Sequence, residues 1–131
     1  MKDINILWFK KDLRIDDNEA LYESLKDYDI LPIYIFEIEL WNQKTHSSRQ
    51  WQFCKESLLD LRNSLKEIGQ PLIIRTGNVI KIFEEISSKF NIRGIYSHQE
   101  TGDWFTYKRD QEVKLWASNK KIIWKEYLQF S

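Results

Sequence analysis

Several residue types are nearly missing from this chain, and each shortage removes a class of function. A single cysteine, Cys54, excludes an internal disulfide and fits a reducing compartment. Two histidines, His46 and His98, stand at positions unrelated to that cysteine, so no metal-ligand spacing arises and a Ser-His-Asp or Cys-His hydrolase has little to build on. Charge of one sign is also lacking: 20 basic residues cancel 20 acidic ones. The field that draws a protein onto nucleic acid or an anionic membrane is therefore absent, and any DNA contact must be local and weak. No hydrophobic run is long enough to span a bilayer, and no small-residue cleavage site follows the first residues; a cytoplasmic protein with no membrane partner is expected. With only 4 glycines and 2 prolines, each is read as the mark of a turn.

What is present is the balance of one globular domain, with 42% hydrophobic and 31% charged residues over 1–131. Five β-branched or aromatic runs alternate with helical patterns: Ile4 to Phe9, Ile30 to Phe36, Leu72 to Thr76, Gly94 to His98 and Lys121 to Tyr127. Such alternation predicts βαβ units and a parallel sheet. Asp16, Asn18 and Glu19 offer an N-cap for a helix from about Asp17 to Lys26. The longest helix is predicted from Ser48 to Ile68, with Cys54, Leu58, Leu61, Leu65 and Ile68 on its inner face and Gly69 and Pro71 ending it. Asn78 opens another, with Val79, Ile82, Phe83 and Ile86 inward, running to near Asn91; a last one covers Trp104 to Ser118. Cys54 reads as core, and Trp8, Trp104 and Trp116 as packing residues. The fold class is α/β, a three-layer, doubly wound, five-stranded parallel sheet, Rossmann-like, in the order 3-2-1-4-5.

In that order the crevice opens between the carboxyl ends of the first and fourth strands, where the loop Lys10 to Asp16 faces His98 to Asp103 and Phe36-Glu37 lies on the flank. The turn after the first strand holds no glycine, so a dinucleotide pyrophosphate has no backbone cradle there, and no Gly-x-x-x-x-Gly-Lys loop occurs. Lys10, Lys11, Asp12 and Arg14 suit an anion, but such a short charged loop is more often a solvated turn plus an internal Arg-Asp pair. His46 reads as solvated, and His98 as a strand-end residue at the crevice.

The stretch Trp8-Phe9-Lys10-Lys11-Asp12-Leu13-Arg14-Ile15-Asp16-Asp17-Asn18-Glu19-Ala20-Leu21 resembles the opening motif of the DNA photolyase and cryptochrome family. Ser48-Arg49-Gln50-Trp51-Gln52-Phe53 with Glu56-Ser57-Leu58, and Tyr96-Ser97-His98-Gln99-Glu100 with Tyr107-Lys108-Arg109-Asp110, resemble two further family segments. The likeness implies the family's N-terminal α/β domain, which in many members holds a light-harvesting antenna: methenyltetrahydrofolate, a deazaflavin or a flavin such as FMN. It implies no catalytic residue in this chain. FAD, and contact with damaged DNA, belong to a helical domain that this stretch does not include and that would be its partner. The positions matching the antenna contacts are Lys11, Phe36, Glu37, Arg49, Glu100 and Asp103. Asp103-Trp104 stands where folate-binding members carry Asn-Glu, which favours a deazaflavin over a folate. Two other readings compete: a stand-alone nucleotide-binding module of the universal-stress or electron-transfer-flavoprotein type, and a ligand-free structural domain.

Overall fold

The computed structural model describes residues 1–11, 13–41, 48–100 and 104–128, without the side chains of Trp41, Ser48 and Arg49. Asp12, His46 and Asp103 lie outside the described residues. Along the chain run β1 (Asp3–Phe9), α1 (Glu19–Ser24), β2 (Asp29–Phe36), α2 (Ile38–Trp41), α3 (Ser48–Glu67), β3 (Ile73–Thr76), α4 (Val79–Ser87), β4 (Asn91–His98), α5 (Trp104–Asn119) and β5 (Ile123–Tyr127). All pairings are parallel, in the order β3-β2-β1-β4-β5. This is the predicted doubly wound sheet. Its central strands are buried on both sides, which is why they read as unbroken apolar runs and not as alternation.

Two cores result. On one face Ile4, Ile6, Trp8, Ile33, Ile35 and Ile95 pack under α4 and α5. On the other, Leu7, Phe9, Ile30 and Tyr34 pack under α1 and α3. In α4 the four residues predicted inward, Val79, Ile82, Phe83 and Ile86, are all buried, and Asn78 caps the helix by accepting from the Lys81 N–H at 3.2 Å. In α1 the cap is Asn18, whose Oδ1 accepts from Leu21 N–H at 2.8 Å. Asp17, expected inside that helix, instead takes a left-handed φ of 52° ahead of it. Cys54 is half-buried, its Sγ 3.5 Å from Tyr34 Oη, and burial pushes its thiol up, as a core residue's should be.

Other expectations need correction. Ile68 is 47% exposed, because α3 stops at Glu67 and Gly69, at φ 79°, turns the chain away while Gln70 N–H closes on Leu65 O at 2.8 Å. The helix begun at Asn78 stops at Ser87, since Asn91 already starts β4. Two scarce residues mark no turn. Pro32 stands inside β2, one residue before pairing with β3 begins at Ile33, and Gly94 stands inside β4. Gly94 follows a register shift against β1, and a Cβ there would lie 3.2 Å from Asn5 Oδ1 and 3.0 Å from the Tyr96 ring. The close approach leaves Asn5 in place to donate from Nδ2 to Ser24 O at 3.0 Å, tying β1 to the end of α1.

Candidate functional site

A parallel sheet brings the ends of its strands to one edge, and charges gathered there must find partners or water. Here they find one another. Lys10 follows β1, Glu37 follows β2, Glu100 lies just beyond β4 and Glu126 belongs to β5, while α5 contributes Arg109 and Asp110. Arg109 donates from Nη1 to Glu37 Oε1 at 2.6 Å, from Nη2 to Glu100 Oε1, and from Nε to Asp110 Oδ1 at 2.9 Å. Lys10 Nζ reaches both Asp110 oxygens at 3.2 Å and Glu126 Oε2 at 3.7 Å. The side chains of Lys10 and Arg109 are 3% and 6% exposed, so these bonds replace water and do not merely supplement it. Both cations also lie against Trp8, with Lys10 Nζ 4.6 Å and the guanidinium carbon 5.0 Å from its ring centroid.

Four carboxylates surround two cations in this cluster. Burial pushes the Glu37 carboxyl up, overriding the pull of Arg109, and it does the same to Glu126 against Lys10. For Arg109, burial alone would weaken the proton's hold, but Glu37, Glu100 and Asp110 together outweigh it and keep the guanidinium above its ordinary value. The expectation of a solvated turn fails for Lys10, whose ammonium is covered by partners a hundred residues away in sequence.

The six positions matched to antenna contacts divide. Glu37 and Glu100 meet through Arg109. Phe36 belongs to the opposite core, its ring 4.8 Å from that of Trp51 at the start of α3. Lys11 is exposed and borders a hollow between the β1 and β4 loops, shared with Asn18, His98, Gln99 and Glu100, whose volume of about 10 Å³ admits roughly one water. Arg49 lies in the first turn of α3 without a described side chain, and Asp103 is outside the described residues. His98, half-buried, sets its ring 6.3 Å from Tyr127.

Beside the filled crevice, on the face of α4 and α5, a cleft of about 750 Å³ opens at the same edge of the sheet. Ile38, Val79, Ile80, Trp104 and Phe105 give it apolar and aromatic walls, and Glu39, Asn78, Lys108 and Glu112 its polar ones, with Glu37 and Arg109 at the back. This volume is in the range of small-molecule sites. Trp104, expected to pack, is 73% exposed and stacks on Tyr107 at 5.7 Å, because it begins α5 on the side turned away from the sheet.

Reading the sequence missed Arg109, Asp110, Lys10 and Glu126 as one unit. One signal was available: Thr106, Arg109, Val113, Trp116 and Ala117 share the buried stripe of α5, and a charge within such a stripe must bring its partners inside. Among the described residues no group of acidic, histidine or cysteine side chains is arranged to hold a metal ion, and no helix is long and apolar enough to cross a membrane.

The sheet order and the loaded carboxyl edge define a doubly wound α/β domain. A family profile described as DNA photolyase matches residues 5–128, and the chain belongs to that family. It is 36% identical over 108 residues to a chloroplastic/mitochondrial DASH-type cryptochrome of Arabidopsis thaliana, a match covering 76% of this chain and 19% of that protein. With a DASH-type cryptochrome of Gloeobacter violaceus the identity is 29% over 125 residues, covering 89% and 25%. An archaeal photolyase from Sulfolobus tokodaii, solved with two FAD molecules and an implied novel light-harvesting cofactor, superposes with a TM-score of 0.84 at 26% identity, over 96% of this chain and 29% of that one. The Synechocystis cryptochrome shares the fold, with a TM-score of 0.83 at 24% identity over 96% of this chain and 27% of its own. The chain thus spans between 19% and 29% of the length of these relatives. Membership favours a photolyase-type N-terminal domain over a stand-alone nucleotide-binding module.

Proposed function

We propose that this chain is an antenna domain: it holds a light-absorbing heteroaromatic chromophore at the carboxyl edge of its sheet and passes the excitation to FAD in a helical domain that follows in the longer family members. The observation that carries this reading is the cleft of about 750 Å³ at that edge, in a chain whose family match runs from residue 5 to 128. Of the expected contacts Lys11, Phe36, Glu37, Arg49, Glu100 and Asp103, Glu37 lines this cleft, whereas the Phe36 ring is engaged by Trp51 in the core on the other face of the sheet. Light-driven repair or signalling, FAD binding and contact with damaged DNA are assigned to the helical domain, since base flipping needs a fitted pocket and the net charge here is zero. The chromophore belongs to the deazaflavin, FMN or methenyltetrahydrofolate group.

A ligand-free bracing domain is the second reading, and the saturated Arg109 cluster supports it, because those charges are already spent. Titrating a deazaflavin, FMN and methenyltetrahydrofolate into the purified chain separates the two. At least one is expected to bind with a dissociation constant of roughly micromolar and a shifted absorption band. If none binds, the bracing role stands and the antenna role falls.

A further inference from the structure

Resting on the antenna reading, we propose that the chromophore ring sits in the cleft between the heads of α4 and α5, stacked on Trp104 and Phe105, and that this seat takes a flat heteroaromatic that carries no phosphate. The aromatic requirement follows from the walls. Trp104 is 73% exposed and lines the cleft, stacked on Tyr107 at 5.7 Å, and Phe105 is half-buried beside it. A planar ring laid there gains stacking on faces that water now covers. On the other side of the sheet, the Phe36 ring is already engaged by Trp51.

The charge requirement follows from the polar walls. Glu39, Lys108 and Glu112 line the cleft and form no ion pair among the described residues. At the back, Glu37 and Arg109 neutralise each other, and behind them the carboxylates of Glu100, Asp110 and Glu126 stand against the single ammonium of Lys10. Acid is therefore in excess both on the walls and behind them. The head of α4 is capped in part by its own Asn78, which takes the Lys81 N–H. A phosphate entering the cleft would meet an excess of carboxylates, whereas ring N–H or amino groups would meet acceptors in Glu39 and Glu112.

Riboflavin, FMN and FAD form a series in which the ring is constant and phosphate is added. Equilibrium titration of all three into the wild-type chain, Trp104→Ala, Phe36→Ala and the double variant Glu39→Gln/Glu112→Gln tests both requirements. Riboflavin is expected to bind several-fold more tightly than FMN at low salt, and FMN more tightly than FAD, the gaps narrowing with added salt and in the double variant. Trp104→Ala should weaken riboflavin about tenfold, the scale of one lost stacking partner. Phe36→Ala should leave riboflavin binding unchanged. FMN binding more tightly than riboflavin overturns the charge requirement, and a loss in Phe36→Ala with none in Trp104→Ala overturns the placement; in both cases the antenna reading survives. If none of the three flavins binds, and the folate and deazaflavin titrations are also blank, both fall.

Discussion

Crevice and cleft lie side by side at the carboxyl edge and are built in opposite ways. The crevice between β1 and β4 follows the family's charged motif, yet Lys10 of that motif is bonded into the Arg109 cluster and the hollow left there holds about one water. The cleft between α4 and α5 shares Lys108 and Arg109 with another family segment, yet it keeps its volume, the exposed Trp104 indole and, among the described residues, three charges outside any ion pair, Glu39, Lys108 and Glu112. A dense run of ionisable residues at a topological switch point thus need not be a ligand seat. Once buried, such groups stabilise only if each is paired, and pairing them consumes the valences a ligand would use. An open site needs walls that the fold cannot satisfy by itself.

The largest break in this contrast is expected from Arg109→Met. It strands Glu37 and Glu100 in the crevice without their cation, and should cost about 3–5 kcal/mol in urea unfolding, since removing one partner of a buried pair leaves the other uncompensated. Adding Glu37→Gln to that variant should recover part of the loss, because one stranded charge is gone. If Arg109→Met is neutral, the cluster is not buried as described. Next comes the seam beneath the crevice. Gly94→Ala pushes a methyl against Asn5 and Tyr96 and should cost about 1–3 kcal/mol, read from the thermal midpoint. Asn18→Ala removes both the Leu21 cap and the bond from Nδ2 to Arg14 O at 2.8 Å, for about 0.5–2 kcal/mol.

A pH series sharpens the comparison further. Glu37 and Glu126 hold their protons more tightly in the folded chain, so their contribution to stability is whole below the ordinary carboxylate value of 4.5 and is lost as pH rises through their raised folded values. Glu84 has the opposite sign: its bond from Trp116 at 2.5 Å lowers it, and what it contributes is present above the ordinary value and lost as pH falls through the lowered one. Urea midpoints measured from pH 4.5 upward should therefore decline less steeply in Glu126→Gln than in the parent chain. The smallest effect belongs to the cleft. Trp104→Ala should change stability by no more than about 0.5 kcal/mol, since the side chain is mostly exposed and, among the described residues, Tyr107 is the one ring stacked on it.

The parts legible in sequence are those set by local pattern. Runs rich in β-branched and aromatic residues marked all five strands, and the order followed from right-handed crossovers and one reversal of direction. Asn78 and Gly69 announced their helix ends because capping acts within a few residues. Lys10 was opaque for the opposite reason, since its partners come from α5 and β5 and no periodicity within β1 encodes that meeting; for Arg109 the buried stripe of α5 signals burial but not which carboxylates meet it. The first three residues of β4, Asn91, Ile92 and Arg93, escaped because two are exposed and polar, although Asn91 N–H already bonds Lys2 O at 2.8 Å. Helix α2 is a single turn of four residues, too short for any period to show.

The order of the strands leaves β3 and β5 on the outside. An uncovered margin of this kind is a template on which another chain can add a strand, and both margins here are poor templates. At one end only four residues, Ile73 to Thr76, are offered, and Arg75 is held by Glu85 at 2.7 Å. At the other, Lys125 and Glu126 put a charge of each sign into a five-residue strand. Edge-to-edge growth into aggregates is discouraged at both limits of the sheet. A domain with one uncovered indole and an open cleft can then remain dispersed at the concentrations its titrations require.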